Sequence, residues 1–169
     1  MTDEYVERWR GSIITHRMFS NICYRQSEQF SSFRALVEST WPGMSIRPPE
    51  RHGYAPPKLT MLCEENRLAR ELSWAGFGFQ VWLQILTHLI GASAATTLIV
   101  NEPEIYLHPD LQHKLFALLR NSKKQVILAT HSVGIINEAE HDDVVLVNRA
   151  RHSAKRVETL TAFRTRFLA

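Results

Sequence analysis

Two clusters of polar side chains follow two apolar, β-branched segments of the chain. Thr97 to Val100 is followed by Asn101 and Glu102, and Gln125 to Ala129 is followed after one residue by His131. A buried parallel strand delivers side chains to its carboxyl edge in this way, and ligand sites in open α/β sheets lie at that edge. The pattern predicts that Glu102 and His131 point to one place, where a carboxylate can orient or deprotonate an attacking water.

The order of these residues resembles the C-terminal half of an ABC-type P-loop ATPase. The matching branch contains the SMC-like repair ATPases and the OLD-family (overcoming lysogenisation defect) defence ATPases. In that family a strand ending in Asp-Glu-Pro-Glu is the Walker B motif, and a Leu-His-Pro turn forms the D-loop. Leu98 to Glu104 matches the first, and the D-loop residues are Leu107, His108 and Pro109. The resemblance implies that Glu102 is catalytic and that His131 is the switch histidine.

A glycine-rich segment precedes the helix predicted for Val81 to Ile90. Glycines before a helix let backbone N–H groups approach an anion, although such glycines alone more often mark a turn. Ser73 lies 29 residues before Glu102, where the family has its signature loop. The resemblance implies that this segment binds the γ-phosphate of ATP held by the opposite subunit of a dimer. The residues similar to the signature are Leu72, Ser73, Gly76, Gly78 and Gln80.

Two departures from the family pattern affect the expected mechanism. Asn101 stands where the family has the Walker B aspartate that supports Mg²⁺. An amide oxygen has no negative charge, so we expect weaker hydrolysis with nucleotide binding less affected. The chain also has no Walker A motif, since none of its seven glycines is followed by lysine. ATP and Mg²⁺ are therefore expected only in a site completed by a Walker A-bearing lobe or an intact homologue. The sequence resembles a truncated gene product, one half of a split ATPase, or a fragment.

Composition indicates a soluble, cytoplasmic domain. The 169 residues are 44% hydrophobic and 22% charged, which suits one domain with a buried core. Val81 to Val100 is too polar to predict a membrane span, and no signal peptide pattern opens the chain. Cys23 and Cys63 lack the spacing of a zinc site or a disulfide framework.

Apolar periodicity predicts an α/β fold with a mostly parallel sheet flanked by helices and an N-terminal helical segment. The resemblance implies that this fold is a partial P-loop NTPase lobe of the ABC type. Phe30, Phe33, Leu36 and Val37 predict a helix over 26–40 that ends at Trp41-Pro42-Gly43. The remaining predictions are an irregular connector over 47–57, a half-buried strand over 58–63, a helix from Pro109 with a leucine stripe, and a third buried parallel strand over 143–147. The expected divisions are a helical arm-like segment (1–43), a strand-loop-strand connector (44–71), the ATPase lobe (72–150) and a basic tail (151–169).

Three functional hypotheses remain open at this point. The first is an ATPase lobe that supplies signature, Walker B and switch residues, with little or no activity alone. The second is a catalytically inactive remnant that binds a protein or nucleic acid, since the residues after Val147 are rich in arginine and suit DNA, although a solvated end explains them as well. The third and weakest is a metal-dependent hydrolase that uses Glu102, Glu104, His108 and His131, for which no ligand set is complete.

Overall fold

The computed structural model describes residues 20, 22–24, 27–53 and 58–157. The chain divides into two compact units, with the division between Leu98 and Ile99, inside one strand. The prediction of helix for residues 1–24 falls almost wholly outside the described residues, as do Arg164 and Arg166 of the predicted basic tail.

The first unit contains the helix that the aromatic spacing predicts. Helix α1 spans Phe30–Thr40, after a single 3-10 turn, and buries Phe30, Phe33 and Val37. The chain then turns at Trp41, whose N–H donates to the Val37 carbonyl at 2.8 Å, and Gly43 has a φ of 86° that favours glycine. The predicted helix and its stop are both confirmed.

Short antiparallel strands follow α1. Strands β1, β4 and β5 form one sheet in the order β1-β4-β5, and β2 pairs with β3. Their bounds are Met44–Ile46 (β1), Glu50–His52 (β2), Lys58–Thr60 (β3), Leu62–Glu65 (β4) and Leu68–Glu71 (β5). The single strand predicted over 58–63 is therefore two strands separated at Met61, and the connector predicted to be irregular contains β2. Alternation of apolar residues continues across the break, so the pattern cannot show where pairing changes partner.

Helix α2, Phe77–Gly91, supplies the largest fully buried side chain of the first unit, Trp82. Trp82 and Leu86 are fully buried, and the Trp82 indole N–H donates to the Thr40 hydroxyl of α1 at 3.0 Å. Phe79 meets Trp41 edge to face with ring centroids 5.1 Å apart. These contacts join α1 and α2 into one apolar core, in which the buried Trp82 indole has a hydrogen-bond partner.

The second unit alternates strands and helices. Strands β6 (Thr97–Asn101) and β7 (Gln125–Ala129) lie side by side as a parallel pair, connected by α3 (Pro109–Asn121). Helix α3 buries Leu111, Leu115 and Leu119, which confirms the predicted leucine stripe. The chain continues through α4 (Val133–Glu138), β8 (Val145–Asn148) and β9 (Ser153–Arg156). The predicted α/β class is confirmed.

Two details of the predicted sheet are wrong. The strands β6 and β7 are not buried, since Ile99 is 78% exposed and Ile127 is 54% exposed. The predicted third parallel strand is instead β8, which pairs antiparallel with β9, and its Val147 is 73% exposed. An apolar run shows that a segment suits a strand, but it does not show which neighbour pairs with it or covers it. None of the described helices is long and apolar enough to cross a membrane.

Candidate functional site

The site is built where β6 and β7 end. Glu102 adopts a φ of 46°, an uncommon conformation for a side chain other than asparagine, aspartate or glycine. Its N–H donates to the Ala129 carbonyl at 2.8 Å, which ties the end of one strand to the end of the other. The chain therefore bends sharply after Asn101, and the Asn101 side chain stays exposed at the edge.

Glu102 and His131 meet at this edge, as the sequence predicts. His131 Nε2 lies 3.2 Å from Glu102 Oε1. The histidine side chain is 94% exposed, whereas the glutamate is mostly covered. A carboxylate held beside an open, exposed imidazole is an arrangement that can orient water and contact an anionic ligand. Their chemical roles stay predictions.

Glu104 anchors the loop that carries His131. Glu104 Oε1 accepts from the Thr130 hydroxyl at 2.5 Å, from the His131 N–H at 2.9 Å and from the Ser132 N–H at 3.1 Å. Burial raises the pKa of the Glu104 carboxyl, but the hydrogen bonds from the Thr130 hydroxyl and from the Glu104 and His131 backbone outweigh burial and hold that pKa below its ordinary value. Glu104 is therefore a charged acceptor at neutral pH.

A second set of contacts fixes the other side of the same loop. The Ser132 hydroxyl donates to Gln112 Oε1 at 2.5 Å and accepts from the Ile135 N–H at 3.2 Å, so Ser132 caps α4. Gln112 Nε2 in turn donates to the Leu107 carbonyl at 2.9 Å. A Cβ at Gly134 would lie 3.4 Å from the Ser132 hydroxyl oxygen, so little room remains there.

The predicted D-loop residues start α3. Leu107 is buried, His108 is the N-cap whose Nδ1 faces the Asp110 N–H at 3.5 Å, and Pro109 is at the first helical position. His108 therefore has a local structural task. Within the described ranges, no three His, Cys, Asp or Glu side chains are grouped closely enough to hold a metal ion.

The predicted signature residues lie in the first unit around the start of α2. Ser73 is exposed in the 3-10 turn Leu72–Trp74, and Gly76 is the N-cap of α2. Gly78 lies inside the first turn of α2, because this helix begins at Phe77, four residues before the predicted start. Gln80 Nε2 donates to the Ala75 carbonyl at 2.9 Å, so its side chain folds back over the loop. The predicted anion-binding loop requires both glycines to precede the helix, and of the two only Gly76 does so.

Comparison with known families decides the identity of the domain. The family described as "AAA domain, putative AbiEii toxin, Type IV TA system" matches residues 7–137, well over half of the chain. The chain belongs to this AAA domain family. No curated protein matches it. Family membership and the ABC-type resemblance together support an ATPase-type function for this AAA domain.

Solved structures of SMC ATPases share the fold of this AAA domain. One chain, from work on ATP-driven dimerization and DNA-stimulated activation of SMC ATPases, aligns with a TM-score of 0.66 at 14% identity over 89% of this chain and 98% of that chain. The Smc head of Pyrococcus furiosus bound to the C-terminal domain of ScpA gives 0.59 at 13% identity, over 98% of this chain and 43% of that one. An Smc head bound to the ScpA winged-helix domain gives 0.56 at 13% identity, over 83% and 48%. These likenesses confirm a fold similar to the C-terminal part of an SMC-like head.

An ATPase-like family implies nucleotide and Mg²⁺, and the edge residues of this AAA domain fit one side of such a group. The exposed His131 ring has room to face a phosphate, Glu102 is fixed beside it, and the exposed Asn101 offers a neutral oxygen near the strand end. The glycine–lysine cradle for the phosphates is missing from the sequence. When bound, Mg²⁺ would neutralise charge that develops on the phosphates.

Sequence reasoning missed two residues of this arrangement. Glu104 was noticed only as a possible metal ligand, yet it makes three hydrogen bonds to the His131 loop. Gln112 has no predicted role, yet its side chain joins Leu107 to Ser132. The only sequence signal for Glu104 is its place two residues after Glu102 in the matched motif, and Gln112 has none.

Proposed function

We propose that this AAA domain is a lobe of an ABC-type ATPase whose active site is completed by a Walker A-bearing lobe. The observation on which the proposal depends is the 3.2 Å contact between Glu102 and His131 at the ends of two parallel strands. The sequence motif, the family match and the SMC-like fold all favour the same assignment.

Glu102 orients or deprotonates the water that attacks the γ-phosphate, and His131 contacts that phosphate. A carboxylate is suited to the first task because it accepts a proton, and an exposed imidazole is suited to the second because it donates to phosphate oxygens. Asn101 occupies the metal-supporting position with an uncharged oxygen. Hydrolysis in the completed site is therefore slow relative to binding.

The signature segment acts in a dimer. Ser73 and the backbone N–H groups at the start of α2 face the ATP held by the opposite subunit and provide neutral donors to it. The structural neighbour whose study concerns ATP-driven dimerization supports this arrangement by analogy, as does binding of a further subunit, ScpA, by two other neighbours. The predicted partner is a lobe or intact homologue that has a phosphate loop.

Exposed apolar strands support the need for a covering lobe. Ile99 of β6 and Ile127 of β7 leave much of their side chains in solvent. Large apolar side chains on one strand pair are unusual on the surface of a finished domain and mark a contact surface. A Walker A-bearing lobe that packs against this strand pair would cover them.

The decisive experiment compares variants in a completed ATPase, made by joining the chain to a Walker A-bearing lobe or mixing the two. Glu102→Gln should lower kcat by about 10²-fold or more while binding of a fluorescent ATP analogue is retained, because only the proton acceptor is lost. Glu138→Gln is the matched control, since Glu138 pairs with His113 and does not touch Glu102 or His131. Wild-type turnover in Glu102→Gln would contradict the proposal.

A catalytically inactive regulator is the second candidate, and Asn101 is the observation that favours it. In this case the same fold binds a protein or nucleic acid without hydrolysis. The β8–β9 hairpin presents exposed Arg149, Arg151 and Lys155, which suit a phosphate backbone. Affinity for a short duplex DNA should then fall as salt rises, while no turnover appears in the completed site. Salt-independent binding would exclude the nucleic-acid form.

A further inference from the structure

The loop that carries His131 has an unusual support. The His131 ring is 94% exposed, so packing of the ring itself does little to fix its position. The backbone next to the ring is fixed instead, since the His131 and Ser132 N–H groups both donate to Glu104 Oε1. The backbone that carries His131 is therefore held by Glu104, a residue of the loop that follows β6.

The three groups that donate to Glu104 are best matched by a negatively charged acceptor. One oxygen atom takes the Thr130 hydroxyl and two backbone N–H groups, and a negative charge strengthens each of these hydrogen bonds. Its second oxygen, Oε2, is buried and meets no hydrogen-bond donor among the described groups. Oε1 therefore makes all of the contacts between Glu104 and the His131 loop.

Glu104 is itself held in place by the bend of its own loop. Glu102 has a φ of 46° and Tyr106 a φ of 67°, and the Leu107 N–H donates to the Glu104 carbonyl at 2.9 Å. This bend turns the Glu104 side chain toward the segment after β7, while Glu102 reaches His131. One short segment thus contributes both a side chain that meets the histidine and a side chain that fixes its backbone.

We propose that Glu104 is a positioning residue that holds the His131 loop in register with Glu102. Glu104 acts through the loop and not on the ligand, because Oε1 is used by three protein donors and Oε2 is buried. The consequence for ATP depends on the proposed function of His131, but the positioning itself does not. Loss of the acceptor frees the loop, and His131 then loses its fixed distance to Glu102.

The test measures amide hydrogen exchange by NMR in the chain as it stands. In wild type, the His131 and Ser132 amide protons should exchange at least tenfold more slowly than free-chain amides and resonate downfield, because both are bonded to a carboxylate. Glu104→Leu removes the acceptor and should abolish the protection and the downfield shift at both amides. Glu104→Gln keeps a carbonyl oxygen of the same reach and should restore most of the protection. Glu138→Gln should leave both amides unchanged.

Unchanged exchange at residues 131 and 132 in folded Glu104→Leu would overturn the proposal, and so would failure of Glu104→Gln to restore protection in a folded protein. If Glu104→Leu does not fold, the Gln variant decides alone, because its other amide signals report whether the fold is intact. Turnover in a completed ATPase then separates the positioning role of Glu104 from the proposed role of His131 in contacting phosphate. There, Glu104→Leu should lower kcat as His131→Ala does, and the double variant should be no slower than His131→Ala. If Glu104→Leu removes the protection of both amides but leaves turnover unaltered, the positioning role of Glu104 stands. The phosphate-contacting role of His131 is then refuted.

Discussion

The helix pair of the first unit and the strand pair of the second unit treat their apolar side chains in opposite ways. Helices α1 and α2 enclose Trp82 and Leu86 completely, and even the indole N–H finds a partner in Thr40. Strands β6 and β7 leave Ile99 and Ile127 largely exposed. The helix pair of the first unit encloses its largest side chain, whereas the second unit has Glu102 and His131 at the end of a strand pair whose isoleucines are exposed. The open sheet is where we expect another lobe to bind.

The largest expected effect is a loss of stability in the core between α1 and α2. Trp82→Ala removes a fully buried side chain and leaves the Thr40 hydroxyl without its indole donor, so the free energy of unfolding should fall by about 3–5 kcal/mol. Urea unfolding followed by circular dichroism measures this change. Trp82→Phe should cost less, because most of the volume stays. A loss below about 1 kcal/mol for the alanine variant would show that α1 and α2 do not form a tight core.

The next effect concerns the edge of the open sheet. Asn101→Asp restores a charged oxygen near the metal position, and turnover in the completed ATPase should rise about tenfold, equivalent to ~1.4 kcal/mol. Steady-state ATP hydrolysis at several Mg²⁺ concentrations measures the gain. The same change combined with Glu102→Gln is the control, and it should give no gain. An unaltered rate in Asn101→Asp itself would discredit the metal-supporting assignment.

Much of this arrangement follows from the sequence, and the exceptions have physical reasons. The leucine stripe of α3 could be predicted because helical spacing is visible in the sequence. The meeting of Glu102 with His131 could be predicted because neighbouring parallel strands end at the same edge of a sheet. The early start of α2 was missed because Gly78 reads as a turn residue but fits within the first helical turn. The exposure of Ile99 was missed because an apolar run does not reveal what covers it. Glu104 was missed because its direction depends on two positive φ angles that no sequence pattern signals.

A smaller effect concerns acid stability of the second unit. Hydrogen bonds in the folded state hold the pKa of Glu104 below its ordinary value, so ionised Glu104 stabilises the fold above the unfolded pKa. This contribution is lost as pH falls through the folded pKa, in the acid range below that of an ordinary glutamate. Glu104→Gln removes the titrating group, so its stability should decline less steeply with acid than that of wild type. Urea midpoints measured from pH 7 down to acid pH give the comparison, and parallel curves would contradict it.

The smallest expected effect is on the exposed strands themselves. The double change Ile99→Ser and Ile127→Ser should alter the free energy of unfolding of the isolated chain by no more than about 0.5 kcal/mol per site, because both side chains already face solvent. The same double variant should bind the Walker A-bearing lobe more weakly than wild type in a titration. A large loss of stability in the isolated chain would show that these side chains are covered after all.

The central claim is that this AAA domain supplies half of an ATPase site. Its most direct test is a titration of the purified chain with a fluorescent ATP analogue, with and without Mg²⁺, while hydrolysis is followed in the same samples. We predict no tight binding and no turnover by the chain alone, with both appearing after a Walker A-bearing lobe is added. Tight, Mg²⁺-dependent binding by the chain alone would contradict the account, because it would require a triphosphate pocket built without a phosphate loop.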